Sequence, residues 1–85
     1  MIGRRRPDGN EREPRSTWQP GDYWRHTDGD WCAVTPNGLP VSLRDAASIE
    51  EHEDGTITVT PSIQMITSGR ARYEGTLTRG VWSEG

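Results

Sequence analysis

The chain has 85 residues, 29% of them hydrophobic, with a mean hydropathy of -0.91 and a formal charge of -3 at neutral pH. A chain this short buries only ~60% of the surface its unfolded form exposes, which excludes several independent cores and leaves one domain of modest stability. A single cysteine, Cys32, excludes an internal disulfide and a multi-cysteine zinc site, and no apolar run approaches the ~18–20 residues of a membrane helix.

So polar a composition favours disorder, but the apolar residues are concentrated after residue 17 and fall into period-2 runs. Four Trp and two Tyr add buriable area, since each aromatic can bury ~150–250 Å². A partner, or a second copy of the chain, would relieve the shortage of core. All ten cations are arginine. A GC-rich genome accounts for this blandly; selection for bidentate recognition of carboxylates or anions is the functional alternative. Residues 1–15 hold five arginines against three acids, and the remainder holds five against ten. An acidic body argues against nucleic acid as its main partner.

Residues 1–19 read as a flexible Arg-rich leader, with Pro7, Pro14, Gly3 and Gly9 among mixed charges. Arg4, Arg5 and Arg6 would touch a phosphate backbone or an acidic partner weakly; a solvated tail is the competing reading. The N-terminus lacks the hydrophobic stretch of a signal peptide, so a cytoplasmic rather than secreted protein is expected.

Residues 20–85 read as a single small β domain, opening at the Pro20-Gly21 turn. Asp22–His26 and Trp31–Thr35 flank Thr27-Asp-Gly-Asp30, a hairpin pattern. Thr35-Pro-Asn-Gly38 turns the chain again into a third strand at Leu39–Leu43. Ser42–Ser48 admits one short helical turn at most. Ser48–Glu53, Asp54-Gly55 and the Thr56 strand make a second hairpin. From Thr56 to Met65 the odd positions are apolar and the even ones polar, so Ile57, Val59, Ile63 and Met65 are expected to face inward from a strand. Pro61 lacks an N–H and must break, bulge or edge it. Arg70–Glu74 and Thr76–Thr78 form the next strand, with Gly75 as a bulge, and Val81-Trp82 closes the core. The fold class is thus mostly β: an antiparallel barrel, roll or sandwich of about six short strands.

Three groups of residues invite a chemical reading. His26, His52 and Cys32 show no close ligand pair, so a metal site is not expected. A Cys–His nucleophile would need Cys32 exposed with a lowered pKa. Glu50–Asp54 is the densest charge run and reads as a solvated hairpin tip, with a cation site or an acid–base pair as alternatives. Trp24, Trp31, Arg70, Arg72, Tyr73 and Arg79 are the candidate binding residues. Arginines beside aromatic rings suit planar anions such as nucleotides, or a partner's carboxylates. In the competing reading the aromatics are core and the arginine stems cover its rim. No phosphate-binding loop, dinucleotide fingerprint or nucleophile elbow occurs.

Gly21-Asp-Tyr-Trp24, Thr35-Pro-Asn-Gly38, Glu51-His-Glu-Asp-Gly-Thr-Ile-Thr-Val-Thr-Pro-Ser-Ile63 and Gly75-Thr-Leu-Thr-Arg-Gly-Val-Trp82 together resemble an uncharacterised family of small proteins from actinobacteria and their bacteriophages. The resemblance spans about residues 20–82 and omits the leader. It implies a phage or actinobacterial origin, in keeping with the missing lysine, and implies no activity. Cysteine-rich stretches of longer relatives do not carry over to a chain with only Cys32. The expectation is a non-enzymatic accessory protein without a cofactor, binding a host protein or a small anionic ligand in host takeover or counter-defence. The alternatives are a minor virion component, a nucleic-acid binder acting through the leader, and a small hydrolase using His52.

Overall fold

The computed structural model describes residues 1–44, 46, 48–60 and 75–84. Among them the chain is mostly β, with helix limited to short 3-10 turns at Asn10–Arg12 and Arg15–Thr17. Strands β1 (Arg4–Arg5), β2 (Asp22–Arg25), β3 (Trp31–Val34) and β4 (Pro40–Ser42) form one sheet in that order. Strands β5 (Ser48–Glu51), β6 (Ile57–Thr60), β7 (Gly75–Thr78) and β8 (Val81–Glu84) form the other. Every neighbouring pair is antiparallel except β1 with β2.

Local chemistry explains the hairpins. Between β5 and β6, Asp54 Oδ1 accepts from the Thr56 N–H at 3.0 Å and from its hydroxyl at 2.6 Å, while Gly55 takes φ +86. A side-chain acceptor followed by a residue free to adopt positive φ is what a tight turn requires. Between β3 and β4, the buried Thr35 hydroxyl bonds Asn37 and accepts the Leu39 N–H, closing the Pro-Asn-Gly turn.

The alternation expected of the Thr56 strand holds over β6: Ile57 and Val59 are buried, while Thr58 and Thr60 are not. Ile63 and Met65 lie outside the described residues, as do Arg70–Glu74. The expected helical turn falls partly outside too, and its described trace is one bond from the Ala46 N–H to the Leu43 carbonyl, 3.1 Å.

One core joins the sheets. Tyr23, Trp31, Ala33 and Leu43 meet Ile57, Val59, Leu77 and Trp82 across the interface. Their side chains come from inward-facing positions, so burial follows the period of two. The Trp82 indole donates to the Gly21 carbonyl at 3.0 Å, giving its buried N–H a partner.

Residues 1–19, read from sequence as a leader, lie against the first sheet and bridge to the second. Ladder bonds run from the Arg4 N–H to the Gly21 carbonyl (3.2 Å) and from the Arg6 N–H to the Tyr23 carbonyl (2.8 Å). The Gly3 N–H reaches the Gly80 carbonyl in the other sheet at 2.7 Å. Farther along, the two 3-10 turns cover the outer face of the first sheet, where Trp18 meets Trp24 with ring centres 4.9 Å apart.

Candidate functional site

The first sheet is buried on both faces, and this decides where its aromatics go. Trp24 lies directly opposite Cys32, and Arg25 lies opposite Trp31. Directly paired residues share a face and neighbours along a strand alternate. Trp31 therefore points into the core between the sheets, whereas Trp24 points the other way, toward the N-terminal segment. Both rings are buried, at 8% and 1% exposure.

The expected binding residues are thus not gathered on one described surface. Trp24 and Trp31 stand on opposite faces. Arg79 sits exposed on the β7–β8 turn with φ 47, its N–H donating to the Thr58 hydroxyl at 3.0 Å. It faces the Glu50–Asp54 hairpin across a polar groove of about 550 Å³. Arg70, Arg72 and Tyr73 lie outside the described residues.

Other arginines stack on the aromatics instead. The Arg5 and Arg25 guanidiniums lie 4.6 and 5.9 Å from the centre of the Trp31 ring, and Arg15 lies 5.4 Å from that of Trp18. Only Arg15 shows a sequence signal, since Arg15 and Trp18 are three residues apart on one turn. The Arg4–Arg6 charges are used internally. Arg4 and Arg6 approach the buried Asp22 carboxylate at 3.4 and 3.9 Å. Arg5 pairs with Asp8 and Glu51, both at 3.0 Å.

Where the N-terminal segment crosses the first sheet it leaves a cleft of about 390 Å³. Trp18, Trp24 and Cys32 line it, with Glu11, Arg15 and His26 at its charged part. Strand β4 contributes Pro40 and Ser42 as a wall. That volume is within the usual range for a ligand pocket, ~300–1,000 Å³.

Glu11 organises the cleft. Its Oε1 accepts the Trp24 indole N–H at 3.0 Å, and Oε2 accepts the Thr27 N–H at 3.4 Å. Removal from water pushes its carboxyl up, but bonds from its own backbone, from Thr27 and from Trp24 outweigh this and hold it below the usual range. At neutral pH the group is a carboxylate, as its ordinary value of 4.5 by itself requires. His26 Nε2 stands 4.0 Å from Glu11, and its Nδ1 accepts the Asp28 N–H at 3.1 Å.

Cys32 is a half-buried thiol. Desolvation first, then the carboxylates of Glu11, Asp28 and Asp30, push its pKa from 9.0 to about 11, with Arg44 opposing. Thiolate is the reactive form, so this cysteine is a poor nucleophile at neutral pH. On the second sheet, His52 Nε2 is 2.7 Å from the Thr58 hydroxyl. Among the described residues, no group of three or more His, Cys, Asp or Glu is placed to hold a metal ion.

Comparison with known proteins finds no matching family model, no similar curated protein and no similar solved structure.

Proposed function

We propose that the chain is a non-enzymatic binding module of phage type, docking a host protein through the cleft between its N-terminal segment and first sheet. The cleft itself carries this reading: two tryptophans beside an ionised carboxylate in a concavity of about 390 Å³. Interfaces concentrate their energy in such aromatic-rich, partly desolvated pockets. The raised Cys32 pKa supports binding over thiol chemistry. Internal pairing of Arg4, Arg5 and Arg6 leaves less charge for a phosphate backbone, which favours a protein partner over nucleic acid. Host takeover or counter-defence is the role that suits a small binder of this kind.

Affinity capture from an actinobacterial lysate tests the reading, with the native chain compared against Ser42→Arg. Ser42 is exposed on the cleft wall, so the substitution fills the cleft without touching the core. A partner retained by the native chain and lost with Ser42→Arg, at unchanged thermal stability, is the expected result. Equal retention by both would place docking elsewhere and overturn the proposal.

A further inference from the structure

The geometry points to a more specific ligand: the cleft is a receptor for a cationic side chain of the partner, an arginine or an alkylammonium, and Arg15 occupies it in the free protein. This rests on the docking reading above and adds the sign and shape of what docks.

The first observation is the seat already taken. Arg15 stands over Trp18 with its guanidinium carbon 5.4 Å from the ring centre. A cation within ~6 Å of an aromatic face is held by the ring quadrupole, and tryptophan is the strongest such partner. Among the described residues no carboxylate pairs with Arg15, and the side chain is exposed. Its hold is therefore weak, and an incoming guanidinium would exchange like for like.

Aromatic geometry is the second. The Trp18 and Trp24 rings meet at 59°, forming a corner rather than a stack. With Trp24 buried and pinned through its indole N–H to Glu11, this corner is pre-formed. Rigid aromatic surface reduces the ordering cost of binding.

Charge is the third. Glu11 lines the cleft as a carboxylate that already accepts from the Trp24 indole, from Thr27 and from its own backbone, so what it offers a ligand is fixed negative charge beside the aromatic corner. Asp28 and Asp30 join Glu11 near the Cys32 thiol in the lining, three carboxylates against the single opposing guanidinium of Arg44. Such a field attracts a cation and opposes a phosphate. The aromatic corner and the carboxylate together match a guanidinium, which stacks and hydrogen-bonds in the same plane. A volume of about 390 Å³ leaves room for flanking backbone beside one basic side chain.

Indole resonances of the ¹⁵N-labelled full chain read this directly, with Trp18 assigned by Trp18→Phe. The probes are the peptide acetyl-Gly-Arg-Gly-amide, tetramethylammonium chloride and AMP, titrated into the millimolar range at low salt. Both cations should shift the Trp18 indole, and AMP should not. Arg15→Ala should tighten the arginine peptide several-fold, because a competitor has gone. Glu11→Gln should weaken it about tenfold, near the effect of losing one charge-assisted contact. Should Glu11→Gln unfold, Ser42→Arg serves instead, since it puts a like charge in the cleft and is expected to abolish the shift.

Silence toward the arginine peptide, a shift with AMP alone, or weaker peptide binding in Arg15→Ala would each overturn the inference. A host partner lost with Ser42→Arg while the arginine probe stays silent would sink the cationic assignment alone. Capture indifferent to Ser42→Arg would sink the docking reading beneath it.

Discussion

The Arg5 guanidinium lies across the face of Trp31, 4.6 Å from the ring centre, and ties the N-terminal segment to both sheets. From there Nη1 donates to Glu51 Oε2 at 3.0 Å and to the Gly55 carbonyl at 2.8 Å, both in the second sheet's first hairpin. Nη2 donates to Asp8 at 3.0 Å. The side chain is 24% exposed, so these bonds are partly shielded from water.

Replacing Arg5 should therefore destabilise the whole domain. Losing charge-assisted bonds at roughly 1.5–3 kcal/mol each is offset by rehydration, and a cation–π contact adds about 0.5–1 kcal/mol. Arg5→Ala is expected to cost about 2 kcal/mol, a fall in Tm of about 8–16 °C for a domain this small. Arg5→Lys should recover little, because a point charge cannot stack on Trp31 and serve both acceptors. Urea or thermal unfolding measures both, and wild-type stability in Arg5→Ala would deny the segment its bridging role.

Gly3 offers a sharper test of the same segment. A Cβ there would stand 2.7 Å from the Gly21 carbonyl oxygen and 2.8 Å from the Trp82 indole nitrogen. Neither can retreat cheaply, since one is backbone and the other belongs to a buried ring. Gly3→Ala should lower stability by about 1–3 kcal/mol, the usual cost of overpacking. On a free tail the same substitution would be silent, so unfolding midpoints separate the two pictures.

Cys32 should resist alkylation in the folded protein. With its pKa raised from 9.0 to about 11, only a small thiolate fraction exists at pH 8. Iodoacetamide modification followed by mass spectrometry should be markedly slower for native than for urea-unfolded chain. Because the native state holds this proton more tightly, stability should also decline as pH rises from 9 toward 11. Cys32→Ser should flatten that alkaline decline.

Acid should weaken the fold in a defined window. Glu11 is held below its usual 4.5 despite desolvation, by bonds from its own backbone, Thr27 and Trp24. Asp54 is held below its usual 3.8, first by the Thr56 hydroxyl and then by the Thr56 N–H. Both lowered groups contribute stability that is complete above those usual values and is lost as pH falls through the native ones. The unfolding midpoint should begin to drop near pH 4.5 and continue below 3.8. Glu11→Gln should remove the first part of that dependence, and a parallel curve for the variant would contradict the Glu11 assignment.

Much of the fold was legible because it is local. Asp54-Gly55, Asp28-Gly29 and Asn37-Gly38 announce turns through side-chain acceptors and residues free to take positive φ. The alternation in Ile57–Thr60 announces which side is buried, since a strand's period is set by its own backbone. These features need no distant partner, and the β class follows from them.

What the tertiary structure alone decided is everything that depends on residues far apart in the chain. Arg5 and Glu51 are 46 residues apart, and nothing in a charged, proline-containing segment signals that it will lie along β2. Only the hairpin register puts Trp24 and Trp31 on opposite faces, and nothing local says that both faces of their sheet are covered, because cover comes from Trp18 on one side and the second sheet on the other. The cleft, and the stacking of Arg15 rather than a later arginine at its edge, exist only once that segment has crossed the sheet. Local backbone preference is written residue by residue; the pairing of surfaces is a property of the closed chain.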